Sequence, residues 1–381
     1  MRKKPKVVVI GAGAFGGWTA LSLLQAGAQV TLIDAWGPGN SRASSGGETR
    51  VIRGTYGPKS PYTEMTARAF PLWRKHEQDW KQRMLYPTGV LWMAASGEDS
   101  FERGSVEMLR AARIRYEELS AKQVKKRWPQ INLEGVSWAI YEPDGGFLAA
   151  RSSCQVVADT FLALGGEYRQ AAVNEQGLDS DTGKSLSLSD GTKISADYYV
   201  FACGPWLGKL FPKTIGDWVR ATKQDVFFFG VPAGVTGLDD LSLPVWAEHR
   251  DRFRYGIPGN HGRGFKIADD TRGETFDPTS GERTVSAEGL AAVREYLCMR
   301  FPAMKHAPLV ETRVCQYEQT PDNHFIMDRH PSNERVWLLG GGSGHGFKHG
   351  PVIGEMMREL VLENGEPRPY FRLSRLDPAK K

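Results

Sequence analysis

The sequence predicts an α/β chain, α+β overall, in which a parallel-sheet domain drawn from both ends encloses a mainly antiparallel one. Two observations predict it: a strand–glycine turn–helix unit near each end, and longer aromatic-rich strands between them. In the first unit Val7-Val8-Val9-Ile10 enters Gly11-Ala12-Gly13-Ala14-Phe15-Gly16, and residues 18–26 read as a helix. Gly11 permits the sharp turn, Gly13 lets a pyrophosphate approach the backbone, and Gly16 lets the helix pack on the strand. The helix N-terminus offers free N–H groups and a positive dipole end to phosphates. A second strand over residues 29–33 ends in Asp34, where a carboxylate takes ribose hydroxyls, roughly twenty residues past the glycines. A glycine motif alone is weak evidence. Strand, glycines, helix, strand and acid in register point to a dinucleotide site.

A chain of 381 residues is long enough for two domains, and its charged fraction of 24% is ordinary for a globular protein. A net charge of +5, with both signs interspersed, is too mild to argue for nucleic acid but fits a small anionic substrate. The basic start, Met1-Arg2-Lys3-Lys4-Pro5-Lys6, precedes an apolar run too short for a signal peptide, and no stretch reaches the length of a membrane span. A cytoplasmic monomer without membrane partners is expected. Cys154, Cys203, Cys298 and Cys315 show no C-x-x-C spacing, so neither a metal site nor a disulfide framework is suggested.

After Asp34, residues 36–50 form a polar loop of small residues that includes Ser44 and ends in Arg50, with Arg53 just beyond. Hydroxyls and arginines there suit a pyrophosphate or an anionic substrate. Residues 61–82 read as an amphipathic helix, 86–93 as a strand, and 100–112 as a helix; Ser120 caps another helix. A strand over 136–141 leads to the turn at 142–146, and a helix over 152–163 ends at Gly165-Gly166. Strands with turns at Ser180-Asp181 and Asp190-Gly191 follow, then a buried strand from Tyr198 into Gly204-Pro205-Trp206. From residue 221 the strands lengthen, Val226-Phe227-Phe228-Phe229 being the clearest, which suggests a second sheet flooring a substrate chamber. A helix over 286–301 precedes strands at 312–317, 325–327 and 336–339. The last strand enters Gly340-Gly341-Gly342-Ser343-Gly344-His345-Gly346-Phe347-Lys348, and a helix begins near Pro351, a favourable first residue.

The glycine-rich start, Gly47-Glu48-Thr49-Arg50-Val51-Ile52-Arg53, Tyr255-Gly256, Gly264-Phe265-Lys266, Val314-Cys315-Gln316-Tyr317 and Ser343-Gly344-His345-Gly346-Phe347-Lys348 occur in one order along nearly the whole chain. As a set they resemble the monomeric sarcosine oxidase family, with its N-methyltryptophan, pipecolate and fructosyl-amino-acid oxidase relatives. The resemblance implies FAD, a glutathione-reductase-like cofactor domain, and oxidation of a C–N bond with reduction of oxygen to peroxide. It implies a FAD-binding domain of residues 1–85, 148–218 and 316–381, and a substrate domain of residues 86–147 and 219–315. Cofactor contacts are expected from Gly11, Gly13, Ala14, Phe15, Gly16, Asp34, Ser44, Arg50, Val173, Gly204, Gly344, Gly346, Phe347 and Lys348. Cys315 stands where the family joins its flavin covalently; the ordinary alternative is an inert buried thiol. Lys266 matches the lysine that promotes reaction with oxygen, since a fixed cation stabilises developing negative charge.

Arg53 and Lys348 match the pair that holds the substrate carboxylate, a planar fork plus a point charge. Tyr255 and Tyr317 match tyrosines lining the substrate cavity. Asp270 departs from the pattern: sarcosine oxidases carry histidine there, whereas fructosyl-amino-acid oxidases carry an acid. A carboxylate can hold a cationic secondary amine or a sugar hydroxyl, and Asp269-Asp270-Thr271-Arg272-Gly273 also reads as a solvent-facing turn. The expectation is therefore an oxidase of secondary amino acids, with fructosyl and pipecolate- or proline-type substrates as alternatives. A flavin dehydrogenase with another electron acceptor and a non-enzymatic flavin-binding protein are further readings. An NAD-dependent dehydrogenase leaves the second glycine run and Cys315 without a purpose.

Overall fold

The computed structural model describes residues 4–58, 61–174, 178 and 185–377. The turn expected at Ser180-Asp181 lies outside the described residues.

A six-stranded sheet forms around the first glycine turn. Its order is Ile326–His330, Asn333–Gly340, Tyr198–Phe201, Lys6–Ile10, Gln29–Asp34 and Glu167–Gln170. Every pairing is parallel except the antiparallel hairpin at the Ile326–His330 edge. The inner strands are apolar on both faces, as a sheet covered on both sides requires. Helices Ala14–Gln25, Ala150–Ala163 and Gly350–Leu362 pack together on one side, where Trp18 meets Trp73 edge-on at 5.2 Å.

Two glycines in the first turn have no substitute. Gly11 has φ +107°, and a Cβ there would sit 2.2 Å from the carbonyl oxygen of Ala202. A Cβ on Gly16 would sit 1.8 Å from the carbonyl oxygen of Gly11. The helix begins at Ala14, inside the motif and earlier than residue 18, because the close approach at Gly16 lets its first turn form against the strand.

An eight-stranded sheet lies in the order Leu309–Gln319, Arg220–Phe229, Phe265–Asp269, Phe253–Ile257, Val245–His249, Val90–Ala95, Val136–Glu142 and Glu117–Ser120. It is antiparallel apart from the pairing of Val245–His249 with Val90–Ala95. The strand expected over residues 86–93 is two strands, because Gly89 takes φ +82° between Leu85–Tyr86 and Val90–Ala95. Leu85–Tyr86 joins Thr49–Ile52 and Gly146–Ala149 in a small three-stranded sheet. The strand Leu309–Gln319 runs unbroken through the boundary drawn at 315/316. Ser120 closes a capping box with Gln123.

On the far face of the eight-stranded sheet, helix Ala287–Arg300 packs through Val293, Tyr296 and Leu297 against Phe227, Trp246, Phe265 and Ile267. Its last residue, Arg300, donates to both carboxylate oxygens of Glu248, at 3.0 and 2.6 Å, and both side chains are buried. Tyr296 donates to the same carboxylate at 2.5 Å. Replacing Arg300 with Leu leaves the buried Glu248 carboxylate with only Arg250, at 3.5 Å, as its ion-pair partner and is expected to destabilise the protein by up to about 3–5 kcal/mol. A thermal-unfolding midpoint unchanged in that variant would show that the pair does not pin the helix.

Candidate active site

A cavity of about 410 Å³ runs from the first glycine turn, between the two large sheets, to Lys348. At one end Gly11, Gly13, Ala14 and Phe15 form its wall. The N-terminus of helix Ala14–Gln25 points there, and Gly13 supplies no side-chain cap. Asp34 closes this end. Its carboxylate accepts from the backbone N–H groups of Ala12, Trp36 and Gly37, each at 2.8 Å. Burial pushes the Asp34 carboxyl up, and these three donors work against that. Ser44 and Arg50 come from the polar loop, and Val173, Gly204 and Trp206 from the opposite wall. Positive helix end, closely approachable backbone, ribose-side carboxylate and apolar walls fit an extended dinucleotide.

The other end is built on one face of the eight-stranded sheet. Strand alternation puts Lys266, Ala268 and Asp270 on one side of their segment, and Arg313, Cys315 and Tyr317 on one side of theirs. The register sets Phe228 opposite Lys266 and Gln224 opposite Cys315, so these side chains share the face toward the cavity. Asp270 accepts a 2.5 Å hydrogen bond from the Tyr317 hydroxyl. Burial lifts the Asp270 carboxyl to about 6, with that bond and the charges of Arg53 and Lys348 working against it. Burial also pushes the phenols of Tyr255 and Tyr317 up, so both are neutral hydrogen-bonding groups.

Arg53 and Lys348 reach the same end from the cofactor side. The Arg53 guanidinium lies 4.6 Å from the Tyr56 ring centroid and 4.7 Å from that of Trp92, and it donates to the carbonyl of Thr55. Glu142 fixes this segment by accepting from the backbone N–H of Gly54 at 2.6 Å and of Thr55 at 3.1 Å. Lys348 is 4% exposed; its amine donates to the Tyr56 hydroxyl at 2.7 Å and the His345 carbonyl at 2.8 Å. The Trp73 indole holds the Lys348 carbonyl at 2.8 Å. Among the described residues neither Arg53 nor Lys348 has a carboxylate within ion-pair distance.

Seventeen of the expected site residues line this cavity; Gly16, Lys266 and Cys315 do not. Gly16 lies beneath the turn. Lys266 is buried and donates to the carbonyl of Thr49 at 2.9 Å and to its hydroxyl at 3.3 Å. Burial, helped by the charge of Arg50, brings its ammonium down to about 7. Cys315 is partly exposed, and the Arg50 guanidinium lies 3.4 Å from its sulfur. Sequence reasoning missed Glu142, Tyr56, His349 and Glu318. Glu318 is a buried cavity residue whose carboxyl burial pushes up to about 8, and whose Oε1 lacks a hydrogen-bond partner among the described residues. Nothing in local spacing marks these four, because each matters through a partner at least forty residues away or through burial.

Over 361 residues the chain is 29% identical to monomeric sarcosine oxidase of Bacillus sp. (strain B-0618), covering 93% of this chain and 92% of that protein. It is 25% identical to N-methyl-L-tryptophan oxidase of Salmonella arizonae, over 98% of this chain and 99% of the other. The crystal structure of L-proline dehydrogenase from P. horikoshii superposes with a TM-score of 0.83 at 21% identity, covering 99% and 98% of the two chains. Among the described residues no helix is long and apolar enough to cross a membrane, and no cluster of His, Cys, Asp and Glu forms a metal site. The family pattern of FAD dependent oxidoreductases matches residues 6–360, so the glycine turn, Asp34 and the cavity beyond them are those of a chain that belongs to the FAD dependent oxidoreductase family.

Proposed function

We propose that this chain oxidises the C–N bond of secondary, N-alkylated amino acids such as sarcosine and other N-methyl amino acids. The observation that carries this is the arrangement at the Lys348 end: an arginine and a lysine without an ion-pair partner among the described residues, with the Asp270 carboxyl beside them. A fork and a point charge take the carboxylate of an amino acid, and Asp270 takes its ammonium group. The names of the sarcosine and N-methyltryptophan oxidase relatives support the same substrate class.

FAD would be held by Gly11, Gly13, Ala14 and Phe15, with Gly16 packing the helix beneath them, by Asp34 on the ribose, and by Ser44, Arg50, Val173, Gly204, Gly344, Gly346, Phe347 and Lys348. When bound, FAD supplies removal of a hydride equivalent from the carbon attached to nitrogen. The protein's part is orientation and field. Arg53 and Lys348 fix one end of the substrate, Asp270 the nitrogen, and Tyr255 and Tyr317 the walls, so the reacting carbon is held in one place. The imine product hydrolyses to an aldehyde or oxo compound and an amine. Lys266 would supply a cation for the reduction of oxygen to peroxide, and Cys315 would be the point of covalent attachment of FAD. The cofactor domain would take residues 1–85, 148–218 and 316–381 and the substrate domain 86–147 and 219–315, except that strand Leu309–Gln319 keeps residues 316–319 with the substrate-side sheet.

Cyclic secondary amino acids are the second reading, favoured by the fold shared with L-proline dehydrogenase. They present the same carboxylate and secondary nitrogen to the same groups.

Secondary amino acids added in air are expected to yield peroxide. As Asp270 is a carboxylate above about pH 6, kcat/KM should rise through that pH and then level. Asp270→Asn should abolish that limb, and an unchanged limb would remove Asp270 from substrate binding. Lys266→Met should slow oxidation of the reduced enzyme far more than its reduction; equal loss in both half-reactions would contradict the role in oxygen chemistry. Acid-precipitated protein should keep its yellow colour in the pellet, and Cys315→Ala should release it to the supernatant. Colour retained in the variant would place the link elsewhere.

A further inference from the structure

Oxidation of an amine at carbon needs the nitrogen lone pair, yet an amino acid arrives near neutral pH with its nitrogen protonated. A group within the cavity must take that proton. Resting on the substrate class proposed above, we infer that the Lys348 side chain is the proton acceptor: it waits as a neutral amine and becomes the ammonium that holds the substrate carboxylate.

The hydrogen bonds around Lys348 set its protonation. A neutral amine has two N–H groups and one lone pair. The Tyr56 hydroxyl at 2.7 Å and the His345 carbonyl at 2.8 Å are two acceptors for those two N–H groups. The Tyr56 hydroxyl lies 3.0 Å from His349 Nε2. The Tyr56 hydroxyl can donate its own proton to the His345 carbonyl at 3.4 Å, which leaves the Tyr56 oxygen to accept from Lys348. The third direction at Nζ is free for the cavity that Lys348 lines.

The charges around Lys348 point the same way. Arg53, Asp270, Glu142, Tyr56, His345 and His349 are the titratable or charged groups that act on it. Arg53 is a second cation in the same buried end. Glu142 spends its carboxylate on Gly54 and Thr55, and Asp270 on Tyr317. Burial, followed by the charge of Arg53, pulls Lys348 well below its usual value. A substrate carboxylate entering beside Nζ reverses the balance, because it favours the ammonium form.

The step balances without an outside reagent. One N–H bond of the substrate's secondary ammonium breaks, one N–H bond forms at Lys348 Nζ, and no electrons change hands. The substrate then stands as a carboxylate with a neutral secondary amine, between two cations. Asp270 orients the nitrogen, and its carboxylate is already engaged by the Tyr317 hydroxyl.

The test counts protons. Methoxyacetate has the shape of sarcosine with oxygen in place of nitrogen, so it brings a carboxylate but no proton to give. Its binding to the holoenzyme at about pH 8 is followed by calorimetry in buffers of differing ionisation enthalpy. About one proton should be taken from solution per ligand bound in the wild type and in Asp270→Asn. Lys348→Arg, with the flavin spectrum as the check on its fold, should bind with none. Binding to the wild type without uptake, uptake persisting in Lys348→Arg, or uptake lost in Asp270→Asn would each overturn the assignment. No binding to the wild type would overturn the clamp and the assignment together. Failure of every secondary amino acid to reduce the flavin, with proton uptake intact, would instead overturn the substrate reading alone.

Discussion

A half-buried arginine and a buried lysine at one end of an apolar cavity are the constraint on which the site depends. Arg53 and Lys348 face the same space, and neither has an ion-pair partner of its own among the described residues. Taking such groups out of water is costly unless something compensates. The protein compensates in part with the rings of Tyr56 and Trp92 against Arg53, and with two hydrogen-bond acceptors for Lys348. An anionic ligand supplies the remainder. Binding energy is thereby tied to a carboxylate, and the rest of the substrate is placed by it.

The two sheets hold the ends of this arrangement apart. The parallel sheet presents the first glycine turn and Asp34 at one end of the cavity. The antiparallel sheet presents Asp270, Tyr255 and Tyr317 at the other. Lys348 and Arg53 belong to segments that bridge them: one follows strand Asn333–Gly340, the other leaves strand Thr49–Ile52. Trp73 and Glu142 fix those two segments through their backbones, at the Lys348 carbonyl and at the N–H groups of Gly54 and Thr55. Such backbone anchors let a charged side chain stay where its own charge alone would not keep it.

Much of this was legible in the sequence, and the reasons are local. Gly11, Gly13, Gly16 and Asp34 act through spacing along one strand–turn–helix unit, and spacing is what a sequence displays. The motifs around Lys266, Cys315 and Lys348 were legible through resemblance, which fixed their order but not their surroundings. Asp270 could not be placed by sequence, since Asp269-Asp270-Thr271 also reads as a surface turn; strand pairing and the Tyr317 bond bring it inside. Glu142 sits 88 residues from Gly54, and Tyr56 sits 293 from His349, so no local pattern announces either pair. The split of residues 86–93 into two strands turned on the backbone of Gly89, which periodicity does not report.

The most direct test of the account compares sarcosine with dimethylamine, which keeps the secondary nitrogen and lacks the carboxylate. Each is mixed anaerobically with the yellow protein, and bleaching of the flavin is followed in a single turnover. The account predicts rapid bleaching by sarcosine and none by dimethylamine at equal concentration, because only the first engages Arg53 and Lys348. Equal bleaching by both would contradict it, since the two cations would then contribute nothing to placing the substrate.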